Sequence, residues 1–160
     1  LVEIESEILV FNMESFNLNS VVENAIKTFE GEAKKKNIRF EFSEAPQEII
    51  ADRDKMSQVF VNLISNAVKY TDSGTIKISF DQKTDMLEIK IRDTGIGISE
   101  KDLPHIFEYL YRSDESRSRN TGGSGIGLSI VKSIITAHAG RIYVQSEPGK
   151  GTEFTIEMNL

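Results

Sequence analysis

Apolar and polar residues alternate in two runs, Thr75-Ile76-Lys77-Ile78-Ser79-Phe80 and the series Leu87, Ile89, Ile91, separated by the polar residues 81–85. A period of two puts one set of side chains on a single face, and the short polar connection makes the runs antiparallel neighbours. The chain ends in the same manner, with Arg141 to Ser146 and Thr152 to Met158 flanking Pro148-Gly149-Lys150-Gly151. Hairpins of this kind point away from a regular series of βαβ units. Their apolar faces need a cover, and amphipathic helices are the available cover.

Three such helices are legible. Asn19 is a capping residue for the first, which runs to about Lys36 with Val22, Ala25, Ile26, Phe29 and Ala33 recurring at helical spacing. Asp52 caps the second, from about Arg53 to Tyr70, whose apolar stripe is Met56, Val59, Phe60, Leu63 and Ala67. The third spans about Gly127 to His138. A shorter helix is expected from Asp102 to Leu110, with Pro104 accommodated in its first turn. Short strands are expected around Leu9, Phe11 and Met13, at Ile38 to Phe42, and at Ile49-Ile50. The fold class is therefore α/β of the α+β kind. It is a two-layer sandwich in which a mixed, largely antiparallel β-sheet is covered on one face by three helices.

The 160 residues suffice for one domain, burying roughly 70% of the extended surface. Nineteen basic against twenty-five acidic residues leave a formal charge of -6. That balance argues against a nucleic-acid partner or membrane contact, both of which need a concentrated positive field. A bound nucleotide needs only local positive charge. With no cysteine, neither a disulfide framework nor a thiolate metal site is possible. No stretch approaches the ~20 apolar residues of a membrane span. The chain opens on Leu1 rather than Met, which is expected of a piece of something longer.

Several polar positions depart from this pattern. Asn62, Asn66 and Lys69 share one flank of the second helix, with Tyr70 at its edge. Amide oxygens four residues apart suit a hard cation that already carries phosphates, and Lys69 can meet a phosphate oxygen. The plainer reading is a wet helix face. Asp93 continues the phase of Leu87, Ile89 and Ile91, so its carboxylate points toward the apolar layer at a strand end. There it either caps the Gly95 or Gly97 amide, ends the strand at the surface, or accepts a hydrogen bond from a ligand such as an adenine amino group. Residues 111–124 contain almost nothing to bury, and a loop this long is functional or disordered. Gly122 to Gly127 can supply amide donors beside a helix start, yet the segment is neither a P-loop nor a Rossmann turn. Arg112, Arg117 and Arg119 can neutralise phosphates, or can simply be solvated. His105 and His138 lie too far apart for a recognised metal cluster, and His138 suits the carbonyls at a helix end.

Taken in order, these motifs resemble the catalytic, ATP-binding domain of sensor histidine kinases. That family belongs to the superfamily shared with type II topoisomerase (gyrase) subunits, Hsp90-type chaperones and MutL-type mismatch-repair ATPases. Asn62-Leu63-Ile64-Ser65-Asn66-Ala67-Val68-Lys69-Tyr70 is similar to the asparagine box, and Asp93-Thr94-Gly95-Ile96-Gly97-Ile98 to the first glycine box. Ile106-Phe107-Glu108-Tyr109-Leu110-Tyr111-Arg112 looks like the phenylalanine box, and Gly123-Ser124-Gly125-Ile126-Gly127-Leu128 like the second glycine box. The resemblance covers residues from about 15 to 158, tail included.

The resemblance implies a Bergerat-type ATP-binding fold with ATP and Mg2+ as cofactors. Asp93 would bond the adenine amino group and Tyr70 would lie along the base. Asn66, with Asn62, would hold Mg2+. Lys69, Arg112 and the amides around Gly125 and Gly127 would meet the phosphates. Gly95, Gly97, Ile98, Tyr111, Gly123, Ile126 and Leu128 would complete the pocket, and residues 111–124 would form the ATP lid. Asn62, Lys69 and Arg112 are the residues expected to serve catalysis. In the chaperone and topoisomerase branches the position of Asn62 is a glutamate that activates water. An amide cannot do so, which favours phosphotransfer over hydrolysis.

By the same resemblance the partner is a dimerisation domain carrying the acceptor histidine, absent from this chain, with a response regulator served by the full-length kinase. Residues 1–7 read as a remnant of that domain's helix or linker, and 8–160 as the catalytic domain. The parent is expected to be a homodimer, the fragment a monomer, and the domain cytoplasmic. Three departures stand out. Tyr109-Leu110 occupies positions where a basic residue and Phe are common, Ala139 replaces a frequent Gly, and no histidine sits in an acceptor context. The alternatives are a nucleotide-gated interaction module without transfer and a serine-directed kinase of the anti-sigma-factor type.

Overall fold

A computed structural model describes residues 11–112 and 127–160. The expected remnant at 1–7, Leu9, the bulk of the polar loop with Arg117 and Arg119, and the part of the second glycine box up to Ile126 lie outside the described residues. Within them the chain runs β1 (Met13–Phe16), α1 (Leu18–Lys35), β2 (Ile38–Phe42), β3 (Ile49–Asp52), α2 (Arg53–Lys69), β4 (Gly74–Gln82) and β5 (Met86–Asp93). It continues through a single 3-10 turn (Leu103–His105) to α3 (Gly127–Ala137), β6 (Arg141–Glu147) and β7 (Gly151–Asn159).

The main sheet has five strands in the order β2-β4-β5-β7-β6. Only β2 and β4 pair in parallel; the other neighbours are antiparallel. The alternation that predicts the hairpins also sets the layers. Ile76, Ile78, Leu87, Ile89, Ile91, Phe154, Ile156 and Met158 are buried on one face against Phe60, Leu63 and Ile64 of α2 and Val131, Ile134 and Ile135 of α3. Each such side chain contributes about 1.5–3 kcal/mol on burial. The opposite face is polar, with Glu41, Lys77, Arg92, Glu153 and Gln145 in one cross-strand row. The fold class read from the sequence is the fold observed: three helices on one face of a mixed, largely antiparallel sheet. Among the described residues no helix is long and apolar enough to cross a membrane.

Three local expectations are corrected. The cap of α1 is Asn17, whose side-chain oxygen accepts the Asn19 amide at 2.8 Å. Asn19 is not free to cap because its own side chain accepts the Ala45 amide at 2.6 Å. Among the described residues the first strand runs over Met13–Phe16 without Phe11, and pairs with β3 in a separate two-stranded sheet. Phe11 lies before it, stacked on His138 with ring centroids 4.6 Å apart. The helix expected from Asp102 to Leu110 shrinks to the 3-10 turn followed by isolated turns, in which Glu108 N–H donates to His105 and Tyr111 N–H to Glu108. Ile106 is its only deeply buried apolar side chain, too small a stripe to hold a helix on the core.

Candidate nucleotide-binding site

One row of the main sheet organises the site. Register places Ile76 opposite Asp93, Asp93 opposite Thr152, and Thr152 opposite Ser146. These inward-facing positions lie at the end of the sheet where β5 leaves for the first glycine segment. Asp93 is 8% exposed, as its phase requires. Its Oδ1 accepts the Gly95 amide at 2.9 Å and the Thr152 amide at 3.2 Å. The turn-capping role is therefore real, and it occupies one oxygen. Among the described residues Oδ2 accepts nothing. Burial pushes the Asp93 carboxyl above the usual carboxylate range, against the opposing pull of the Gly95 and Thr152 amides.

The end of α2 closes on the same point. Tyr70 is its C-cap, donating its N–H to Asn66 and accepting the Ile96 amide at 2.9 Å. A Cβ on Gly95 would lie 2.3 Å from the Tyr70 carbonyl oxygen and 2.8 Å from the Thr71 hydroxyl. Gly95 is thus glycine because helix end, carboxylate and loop converge on it. The Thr71 hydroxyl beside it is fully buried and has no partner among the described residues. A polar atom left unsatisfied inside a protein implies a missing partner.

Gly97 has a different reason. At φ +75° it is in left-handed backbone, and a Cβ there would lie 2.3 Å from the Glu147 carbonyl oxygen and 2.9 Å from Pro148 Cα. It lets the loop rest on the β6–β7 turn, where Gly149 N–H donates to Ile96 at 2.8 Å. Next to it, the Ile98 amide donates to Ser146 Oγ at 2.7 Å, and Ser146 Oγ donates to the Gly151 carbonyl at 2.8 Å. Gly97→Ala should cost about 1–3 kcal/mol from strain and collision with backbone, lowering Tm by several degrees. A thermal melt checks this; an unchanged Tm would mean the loop can leave the turn freely.

Asn62, Asn66 and Lys69 emerge half-buried from α2, as the helical wheel predicts. Asn62 Nδ2 donates to the Gly127 carbonyl at 3.5 Å, so the asparagine helix touches the start of α3. Leu128, the next residue, is half-buried against the core. Tyr111 and Arg112 are also half-buried. The Tyr111 hydroxyl donates a hydrogen bond to Asp102, and its ring stacks on His105 at 5.3 Å. Tyr111 therefore anchors the entrance to the polar loop. That bond holds the Asp102 carboxyl below its ordinary range despite burial, with Ser99 adding a second hydrogen bond. Gly123, Gly125 and Ile126 lie outside the described residues.

Among the described residues His138 joins no metal-ligating cluster. One ring nitrogen lies 2.8 Å from the Ile134 carbonyl and the other accepts the Asp52 amide at 3.1 Å, consistent with the helix-end role expected of it. Thr71, Asp102, Ser146 and Thr152 carry no mark in the sequence that singles them out. Thr152 and Ser146 become visible only through strand register, which residue spacing does not encode across the β5–β7 pairing.

Residues 51–160 match the family model described as "Histidine kinase-, DNA gyrase B-, and HSP90-like ATPase". The chain is 43% identical over 110 residues to the sensor histidine kinase WalK of Bacillus subtilis, a match spanning 67% of this chain and 18% of WalK. It is similar to the solved catalytic domain of histidine kinase ThkA, with a TM-score of 0.78, 29% identity, and coverage of 93% of this chain and 98% of that one. Full-length ShkA, solved in complex with AMPPNP, shares the fold at a TM-score of 0.83 and 24% identity, over 98% of this chain and 34% of ShkA.

Proposed function

Because the chain belongs to the histidine kinase-, DNA gyrase B- and HSP90-like ATPase family and has the fold of a histidine kinase catalytic domain, we propose that it binds Mg-ATP and donates the γ-phosphoryl group to a histidine. That histidine would lie on a separate dimerisation domain, with 8–160 as the catalytic unit and 1–7 as linker remnant. A response regulator would be served by the parent kinase, a homodimer.

The observation that carries the reading is Asp93. It is a buried carboxylate with one oxygen committed to the Gly95 and Thr152 amides and the other available to a donor. An adenine amino group is such a donor, and Tyr70 at the helix end and Ile98 on the same loop would flank the base. The unpaired Thr71 hydroxyl supports a polar occupant there. Asn62 and Asn66 fit Mg2+ in their chemistry, being neutral, hard oxygen donors one turn apart that need no extra charge when phosphates are present. Bound there, the ion would neutralise charge on the phosphate oxygens. Lys69 and Arg112 would add positive charge, and the amides at the start of α3, with Gly123 and Gly125, would receive the phosphate chain.

In transfer, a bond forms from the acceptor imidazole nitrogen to the γ-phosphorus as the bond to the β-bridging oxygen breaks, and ADP leaves. The protein supplies position and charge neutralisation, which is most of what phosphoryl transfer requires. With an amide rather than a carboxylate at Asn62, no side chain there activates water, which favours transfer over hydrolysis. The exposed pair Tyr109 and Leu110 is a fitting contact for a helical partner, being 40% and 55% exposed in a turn where Leu110 adopts φ +64°. Titrating ATP into the protein with and without Mg2+ by calorimetry tests the binding step. Saturable binding strengthened by Mg2+ is expected, and no binding would refute the reading.

A further inference from the structure

The first helix ends in Lys34-Lys35-Lys36. A basic run at a helix C-terminus ordinarily complements the dipole from solvent, and Lys34 and Lys35, both exposed, do that. Lys36 does something else. Its half-buried side chain crosses from α1 to the end of α2, where Nζ donates to the Val68 carbonyl at 2.6 Å and lies 3.3 Å from the Lys69 carbonyl. The last carbonyls of a helix have no intrahelical partner and carry partial negative charge. Here a single ammonium from another helix satisfies two of them.

The turn it holds is the one that faces the candidate site. Asn66, Lys69 and Tyr70 leave the last turn of α2, and the Tyr70 carbonyl accepts the Ile96 amide of the first glycine segment. The turn is thus gripped from one side by Lys36 and from the other by Ile96. Lys36 is itself fixed. Its backbone N–H caps α1 through Ala33 and Glu32, and the next residue, Asn37, turns at φ +57° and accepts the Gly74 amide at the start of β4. We propose that Lys36 is a positioning residue for the nucleotide site, setting the orientation of Lys69 and Tyr70 without touching the ligand. Its ammonium also offsets the negative end of α2 close to where phosphate charge would lie. The inference rests on the Mg-ATP reading for its consequence, though the geometry itself does not depend on it.

The test compares Lys36→Met, Lys36→Arg and Asn17→Ala, the last removing the cap at the opposite end of α1. Mg-ATP affinity, Tm and backbone amide spectra of the nucleotide-free protein are measured for each. Lys36→Met should weaken Mg-ATP binding about tenfold through misplacement of the contacting groups, and Lys36→Arg should restore most of it. Asn17→Ala should lower Tm while leaving affinity at the wild-type value. Wild-type affinity in Lys36→Met would overturn the proposal, as would an equal loss in Asn17→Ala at matched Tm. If the wild-type protein bound no nucleotide, the failure would belong to the Mg-ATP reading. The amide spectra would then decide the positioning claim: Lys36→Met must displace the Tyr70 and Ile96 resonances and Lys36→Arg must not, and unmoved resonances would refute it.

Discussion

Asp93→Asn is expected to weaken ATP binding by a hundredfold or more while leaving the domain folded and no less stable. The asparagine can keep its side-chain oxygen on the Gly95 and Thr152 amides, so the turn and the β5–β7 contact survive. Its NH2 group then stands where Asp93 has its second oxygen, and a donor meets the donor of the base. Flipping the amide only moves the conflict onto the two backbone N–H groups. Leaving a buried donor unmatched costs about 1–3 kcal/mol, more against a charged acceptor, and losing the charge-assisted bond adds to it, which together reach the order of a hundredfold.

The stability half of this prediction follows from the direction of the Asp93 shift. Burial raises its carboxyl above the unfolded value, so the folded state prefers the protonated form. The ionised form therefore carries a cost that is absent below the unfolded pKa. That cost grows as pH rises toward the folded pKa and is complete above it. The neutral amide of the Asp93→Asn variant carries no such cost. The Tm of the variant relative to wild type should accordingly improve as pH rises through that window. Calorimetric titration and melts across pH check both halves, and unchanged ATP affinity would remove Asp93 from the pocket.

Asn66→Ala is expected to remove most of the Mg2+ dependence of ATP binding and to lower phosphoryl transfer by about a hundredfold to a thousandfold, the scale of losing a group that stabilises transferring charge. Its side chain is half-buried and makes no hydrogen bond among the described residues, so the fold should be nearly indifferent to its loss. Affinity for ATP without Mg2+ should change little, because Asp93 and Tyr70 remain. Titrations in Mg2+ and in a chelator, with transfer rates alongside, separate these terms. A variant that kept the full Mg2+ effect would move the ion away from Asn66. Asn62→Ala should be harder to interpret, since Asn62 also holds the Gly127 carbonyl.

What the sequence made legible is what periodicity and local capping encode. The period-two runs yield β4, β5, β6 and β7 and their facing, and the same phase argument buries Asp93 before any contact is known. Asp52 caps α2 as its position predicts, with Oδ1 accepting the Lys55 amide at 3.0 Å. Competition between near-equivalent polar residues is not encoded that way. Asn17 and Asn19 both can cap, and the choice is made by Ala45, far along the chain. Long-range roles are equally hidden. The resemblance places Gly97 in the pocket without showing that a Cβ there would meet the β6–β7 turn. Tyr111 reads as a pocket residue, while its hydroxyl is spent on Asp102. Nothing in the sequence sets Lys36 apart from Lys34 and Lys35 until α1 and α2 are packed together.

The most direct test mixes the protein with the dimerisation domain that the proposal assigns to its parent, and with ATP labelled at the γ position. Label should pass to that domain in an acid-labile, base-stable form, the behaviour of phosphohistidine, and transfer should require Mg2+ and vanish with Asp93→Asn. Tight nucleotide binding with no label on an acceptor domain proven competent, or label arriving on serine, would contradict the assignment of this protein as the phosphoryl donor to histidine.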